Sequence, residues 1–165
     1  MRAALEEAER GMNEGEVPIG SVLARAIDAD VRIIARGHNK VNALQRKIAH
    51  AEIIAFENAG VNRAGDIPAL PLDAKDVILV STLEPCVMCL GAAMEAGVTQ
   101  VIFGLPAPAD SGTQRVKPPQ SPESSAPEIV GNVLAADSRR LFERWLKANG
   151  STEQAKFVRQ LLSLT

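Results

Sequence analysis

Hydrophobic and polar positions follow two different rhythms along this chain, and the switches between them mark its elements. Through residues 1–15, Leu5, Ala8 and Met12 recur at helical spacing while Glu6, Glu7, Glu9 and Arg10 take the other face, which predicts an amphipathic helix packed on a core. Residues 16–24 predict a first strand, with Pro18 giving it an irregular start. Residues 31–35 predict a second, and 27–30 have the composition of the hairpin turn between them. After Gly37 the pattern dissolves into a polar loop through Asn39, Lys40, Asn42 and Gln45, and His38 reads as part of that loop. A helix then runs from His50 through Ile53, Ile54 and Phe56 to a stop at Gly60.

The second half alternates in the same way. Residues 62–75 form a long Pro-containing loop, a place for substrate specificity to differ. The aliphatic run 77–81 predicts a buried strand, which Glu84-Pro85 breaks. A helix follows to Gly97 with Pro85 at its start, then a fourth strand at 101–103. Residues 106–127 are rich in Pro, Ser and Ala, with Arg115 and Lys117 the only basic side chains, and read as a flexible lid or connector. Residues 129–134 predict a fifth strand and 138–148 a helix with Trp145 in the core. Ser151-Thr152-Glu153-Gln154 predicts a capping box opening a last helix.

Composition narrows the class. A chain of 165 residues with 46% hydrophobic and 23% charged side chains reads as one globular domain. At this length it is large enough to bury about 70% of its unfolded surface. No apolar run approaches the roughly 18 residues of a membrane span, and no signal peptide is read. The formal charge of -2 gives no basic field of the kind that grips a polynucleotide. The two cysteines read as a reduced pair, which fits a cytoplasmic setting.

The chemistry is concentrated in two short stretches, His50-Ala51-Glu52 and Pro85-Cys86-Val87-Met88-Cys89. Cys86 and Cys89 share one face of a first helical turn, where unpaired backbone N–H groups and the positive dipole end favour thiolate. Alone, the pair is equally a redox couple or half of a structural zinc site, and a lone helix histidine is usually a satisfied core residue. Taken together, one imidazole and two thiolates make a zinc set whose fourth position stays open, as at catalytic centres. Glu52, two residues from His50, is then placed to carry protons rather than to ligate.

Four segments, Glu16-Val17-Pro18-Ile19-Gly20, Gly37-His38-Asn39, His50-Ala51-Glu52-Ile53 and Thr82-Leu83-Glu84-Pro85-Cys86-Val87-Met88-Cys89, resemble the bacterial tRNA adenosine deaminase branch of the cytidine deaminase-like superfamily. Guanine deaminases share much of this pattern, and the pairing of H-x-E with P-C-x-x-C is the general zinc deaminase signature. The resemblance covers roughly the first hundred residues. It implies a three-layer α/β/α fold around a mixed sheet of about five strands. It also implies one Zn2+ per chain on His50, Cys86 and Cys89, Glu52 as the catalytic proton carrier, and a homodimer. Substrate contacts fall on Asn39, Ala51, Glu84 and Pro85. By composition alone Asn39 is a turn former.

The implied reaction is hydrolytic removal of an exocyclic amine from a nucleobase. The acidic balance favours a free base or nucleoside, as does the lack of a compact RNA-holding motif after the fourth strand. The scarcity of stacking side chains, with no Tyr, one Trp and four Phe, points the same way. A tRNA adenosine deaminase making inosine in an anticodon is the alternative. A catalytically silent zinc-containing subunit is the third reading, disfavoured by the presence of Glu52.

Overall fold

The computed structural model describes residues 1–27, 30–60, 76–118, 120 and 125–165. Part of the hairpin turn, Asp28-Ala29, and the 62–75 loop lie outside the described residues. The elements in order are α1 (Arg2–Asn13), β1 (Gly20–Ile27), β2 (Asp30–His38), α2 (Val41–Leu44), α3 (Ala51–Asn58) and β3 (Val77–Leu83). They continue with α4 (Val87–Glu95), β4 (Gln100–Leu105), β5 (Glu128–Val130), α5 (Ala135–Asn149) and α6 (Gln154–Leu164).

The strands form one five-stranded sheet in the order β2-β1-β3-β4-β5. β1 lies antiparallel to both β2 and β3, whereas β4 and β5 continue parallel to β3. The central strand β3 sends alternate side chains to opposite faces. Val77 and Leu79 join Leu23, Phe56, Leu90 and Val101 in one core cluster. Val80 packs with Ala4 and Val22 in another. Burial on both faces is why its sequence is a continuous aliphatic run. A third cluster joins Leu83 and Leu105 at the strand ends to Phe142, Trp145, Val158 and Leu161 of α5 and α6. The result is the expected three-layer α/β/α architecture, with Trp145 in the core.

Two glycines on adjacent strands let helices approach from opposite sides. A Cβ on Gly20 would lie 2.1 Å from the carbonyl oxygen of Ala4 and 2.3 Å from the nitrogen of Ala8, both in α1. A Cβ on Gly37, paired with Ser21 next door, would lie 2.5 Å from the carbonyl oxygen of Ala51 and 2.5 Å from the nitrogen of Ala55, both in α3. Only a residue without a side chain permits these contacts. The second one seats the helix that begins at His50.

The structure corrects several expectations. Glu7 faces inward at 2% exposure, where the helical rhythm had placed it outside. The reason is a polar cluster under α1: Glu7 lies 3.4 Å from Arg10 and 3.7 Å from Arg36, and His38 bridges Glu7 and Glu14 at 3.4 and 3.0 Å. His38 is accordingly a buried end of β2 rather than a loop residue. β1 begins at Gly20, because Glu16-Val17-Pro18-Ile19 forms the turn that leads into it. The polar loop contains the short helix α2. The capping box before α6 is not made: Thr152 Oγ1 donates to the Asn149 carbonyl, and Glu153 takes the cap position in helical conformation.

Candidate active site

The site is built where two helices begin. His50 is the N-cap of α3 (φ -70°, ψ 156°) and Cys86 the N-cap of α4 (φ -69°, ψ 175°), both in extended backbone. Neither spends its side chain on capping its own helix. Instead Cys86 Sγ and Cys89 Sγ each lie 3.6 Å from His50 Nδ1, and 3.6 Å from one another. A tetrahedral zinc with bonds of about 2.3 Å to sulfur and about 2.0–2.1 Å to nitrogen holds its ligand atoms about 3.6–3.8 Å apart. The trio therefore fits zinc in both donor type and spacing. It is also the one such cluster of metal-ligating side chains among the described residues.

Proton affinities within the trio reflect the same crowding. The hydrogen bonds from Cys89 and His50 lower the Cys86 thiol to about 4 against the opposing effect of burial. Cys89 moves the other way, because its bond to Cys86 and its burial favour the neutral thiol. His50 is raised by its bond to Cys86, opposed by burial.

Glu52 lies beside the trio and outside the cluster of possible ligand atoms. It is 3% exposed, and its Oε1 accepts a hydrogen bond from Ser81 Oγ at 2.7 Å. Its Oε2 lies 3.3 Å from Cys89 Sγ. Burial raises its proton affinity, and the Ser81 bond opposes that rise. Ser81 escaped the sequence reading, although a hydroxyl inside an aliphatic strand was a visible signal.

A cavity of about 250 Å³ opens onto His50, Glu52 and Cys86, just under the usual size range for small-molecule sites. Val17, Ile19, Val41, Leu83 and Phe157 form its apolar wall, and Asn39, Glu84, Asp110 and Gln154 add polar groups. Asn39 and Glu84 thus stand at the pocket. Ala51 and Pro85 are buried and are not among the described residues that form its wall. Glu84 is heavily engaged: it accepts from Ala107 N at 2.8 Å and from the hydroxyls of Ser111 and Thr113.

These bonds explain why the described part of the Pro- and Ser-rich segment is no free lid. Gly112 N donates to the Pro85 carbonyl at 2.9 Å, and Arg115 ties back to the carbonyls of Ser111 and Pro108, each at 3.0 Å. The segment lies over the start of α4 and sets Asp110 in the pocket wall. Burial raises the proton affinity of Asp110, with the neighbouring Cys86 charge adding to it. Asp110, Gln154 and Phe157 were not anticipated. Nothing local marks them, because each reaches the pocket from a distant segment.

Comparison with known proteins places this geometry. The model of the cytidine and deoxycytidylate deaminase zinc-binding region matches residues 1–105. The chain is 30% identical over 164 residues to a tRNA-specific adenosine deaminase of Streptococcus pyogenes, covering 98% of this chain and 89% of the relative. Among solved structures it resembles one from a study of A-to-I editing by tRNA:A34 deaminases at the wobble position of transfer RNA. That likeness has a TM-score of 0.65 at 27% identity, covering 86% of this chain and 96% of the other. It also resembles the guanine deaminase of Bacillus subtilis, with a TM-score of 0.52 at 28% identity and coverage of 92% and 94%.

Proposed function

Since the chain belongs to the cytidine and deoxycytidylate deaminase zinc-binding family, a hydrolase acting on C–N bonds, we propose that its substrate is an adenosine in RNA, converted to inosine with release of ammonia. The observation that carries this reading is the near full-length similarity to a tRNA-specific adenosine deaminase. It reverses the order set by composition, in which a free base or nucleoside came first.

The reaction adds water across the ring carbon that bears the amine and expels that amine as ammonia. His50, Cys86 and Cys89 would hold the zinc ion. A zinc ion there supplies a Lewis acid able to lower the pKa of water from about 15.7 to about 7. Glu52, buried and of raised proton affinity, takes one proton from the attacking water and delivers it to a ring nitrogen, then takes the second from the hydroxyl left on the ring carbon and delivers it to the departing amine as the carbonyl forms. Ser81 holds the carboxylate in place from the neighbouring strand β3. The apolar wall excludes bulk water, and Asn39 and Asp110 offer polar contacts to the base edge.

A free purine is the second reading, favoured by the similarity to a guanine deaminase and by the carboxylate of Asp110 in the pocket wall. Ammonia release from an anticodon stem-loop containing adenosine, set beside adenine, guanine, cytosine and their nucleosides, separates the two. Turnover of the stem-loop alone supports the first reading, and turnover of a free base alone replaces it. Homodimer formation is part of this proposal, supported by exposed Ile48 and Val87 beside the two ligand-bearing helix starts. Sedimentation at micromolar concentration checks it.

A further inference from the structure

Glu16 is a carboxylate with no exposure that ligates nothing and faces no reacting atom. Its Oε2 accepts from Asn39 Nδ2 at 2.9 Å and from the Asn42 backbone N–H at 3.2 Å, and its Oε1 accepts from the Ala43 N–H at 2.8 Å. We propose that Glu16 is a positioning residue that sets the hydrogen-bonding sense of the pocket: it holds Asn39 with its amide oxygen toward the ligand, so the bound base or nucleoside must donate an N–H or O–H there.

The argument begins with what each group is able to do. An ionised carboxylate only accepts, so the part of the Asn39 amide that meets Glu16 has to be the NH2 end. The opposite end is then the oxygen. Asn39 Oδ1 accepts from none of the described donors, yet it is not among the fully enclosed polar atoms that lack a partner. Since Asn39 is only 4% exposed and lines the cavity, the pocket is where that oxygen is reachable. Its backbone is fixed as well, by Asn39 N donating to the Ile19 carbonyl at 2.9 Å. The turn 16–19 thus grips Asn39 at both ends. An acceptor at this point welcomes a ribose hydroxyl or a base N–H and opposes a ligand that presents a lone pair.

Glutamine at position 16 cannot serve all these donors. If its oxygen stays on the Ala43 N–H, its NH2 meets the NH2 of Asn39, and the asparagine is driven to turn over. An aspartate at position 39 placed opposite Glu16 would set two buried carboxylates against each other. The pair Glu16→Gln with Asn39→Asp restores a donor-to-acceptor bond and leaves a second acceptor oxygen for the ligand.

The inference rests on the deaminase reading, so the test has two arms. In steady-state deamination of the best substrate of the panel above, Glu16→Gln should raise KM about 10-fold or more with kcat changed far less, as expected for a lost hydrogen bond to a charged group. Asn39→Asp should raise KM further, and the double variant should bring it back to within a few-fold of wild type. A double variant no better than Asn39→Asp, or a Glu16→Gln protein with unchanged KM, overturns the inference. The second arm needs no substrate and no variant. In 15N-labelled wild-type protein, one Asn39 side-chain amide proton should be shifted downfield and protected from exchange. An Asn39 amide that exchanges like an exposed one overturns the inference even if the variants do not fold. Failure of every substrate in the panel would instead sink the deaminase assignment and leave this arm to be read by itself.

Discussion

The metal side of the pocket and its recognition side are built by different means. On the metal side, His50, Glu52, Cys86 and Cys89 come from the first turns of two helices, and each partner sits within three residues of another in sequence. On the recognition side, Asn39, Asp110, Gln154 and Phe157 arrive from the end of β2, the segment after β4 and the last helix. Chemistry that needs fixed mutual distances is carried by short, rigid helix starts, whereas the shape that meets the substrate is assembled from segments free to vary independently.

That contrast predicts a gradient of effects. The largest belongs to the ligands: Cys86→Ala or Cys89→Ala should abolish binding of the roughly one zinc per chain and lower thermal stability, because metal binding free energy is also folding free energy. Elemental analysis and melting curves check this, and a variant that kept its zinc would show that the trio is not the site. Next comes Glu52→Gln, which should retain zinc and fold yet lose about 10²–10⁴-fold in kcat. Loss of the metal in that variant would turn Glu52 into a ligand and erase the division of labour between the residues.

On the recognition side the effects should be smaller and fall on KM. Glu84→Ala frees Ser111, Thr113 and the Ala107 N–H at once, so the segment carrying Asp110 should loosen. Limited proteolysis should cut it faster, and stability should fall by about 1–3 kcal/mol for the buried donors left unpaired. Asp110→Asn should have the smallest effect. Removing a negative charge from the pocket wall should lower KM several-fold for an RNA substrate at low salt, and raise it several-fold for a free purine that donates to the carboxylate. Equal effects on both substrates would remove Asp110 from any role in charge selection.

The same division explains what was legible in the sequence. The zinc set and the position of Glu52 beside it were readable because their spacing, two and three residues within a helical turn, is itself the geometry. The succession of strands and helices was readable from the alternation of aliphatic runs with helical periods, whereas the three layers and the mixed sheet came from the family resemblance, and the order of strands in the sheet only from the structure. Glu7 and His38 were misplaced because periodicity reports a face but not a partner, and their partners Arg36 and Glu14 lie on other segments. The segment after β4 read as a flexible lid because Pro and Ser are common there. What holds it is Glu84, 23 residues before Ala107, and no local pattern announces such a bond. Glu16 stood in a motif but carried no visible role until its three donors were in place.

The close approach at Gly37 bears on how this protein tolerates change. A single added methyl there meets the backbone of α3 at 2.5 Å, at the very turn that carries His50 and Glu52. The helix would have to slide, and a displacement of about 1 Å at a catalytic group is enough to cost on the order of 10²-fold in rate. In a saturation scan this position would therefore score like a catalytic one although glycine contributes no chemical group to the reaction. A map of intolerance for this protein is thus a map of where backbones touch as much as of where electrons move.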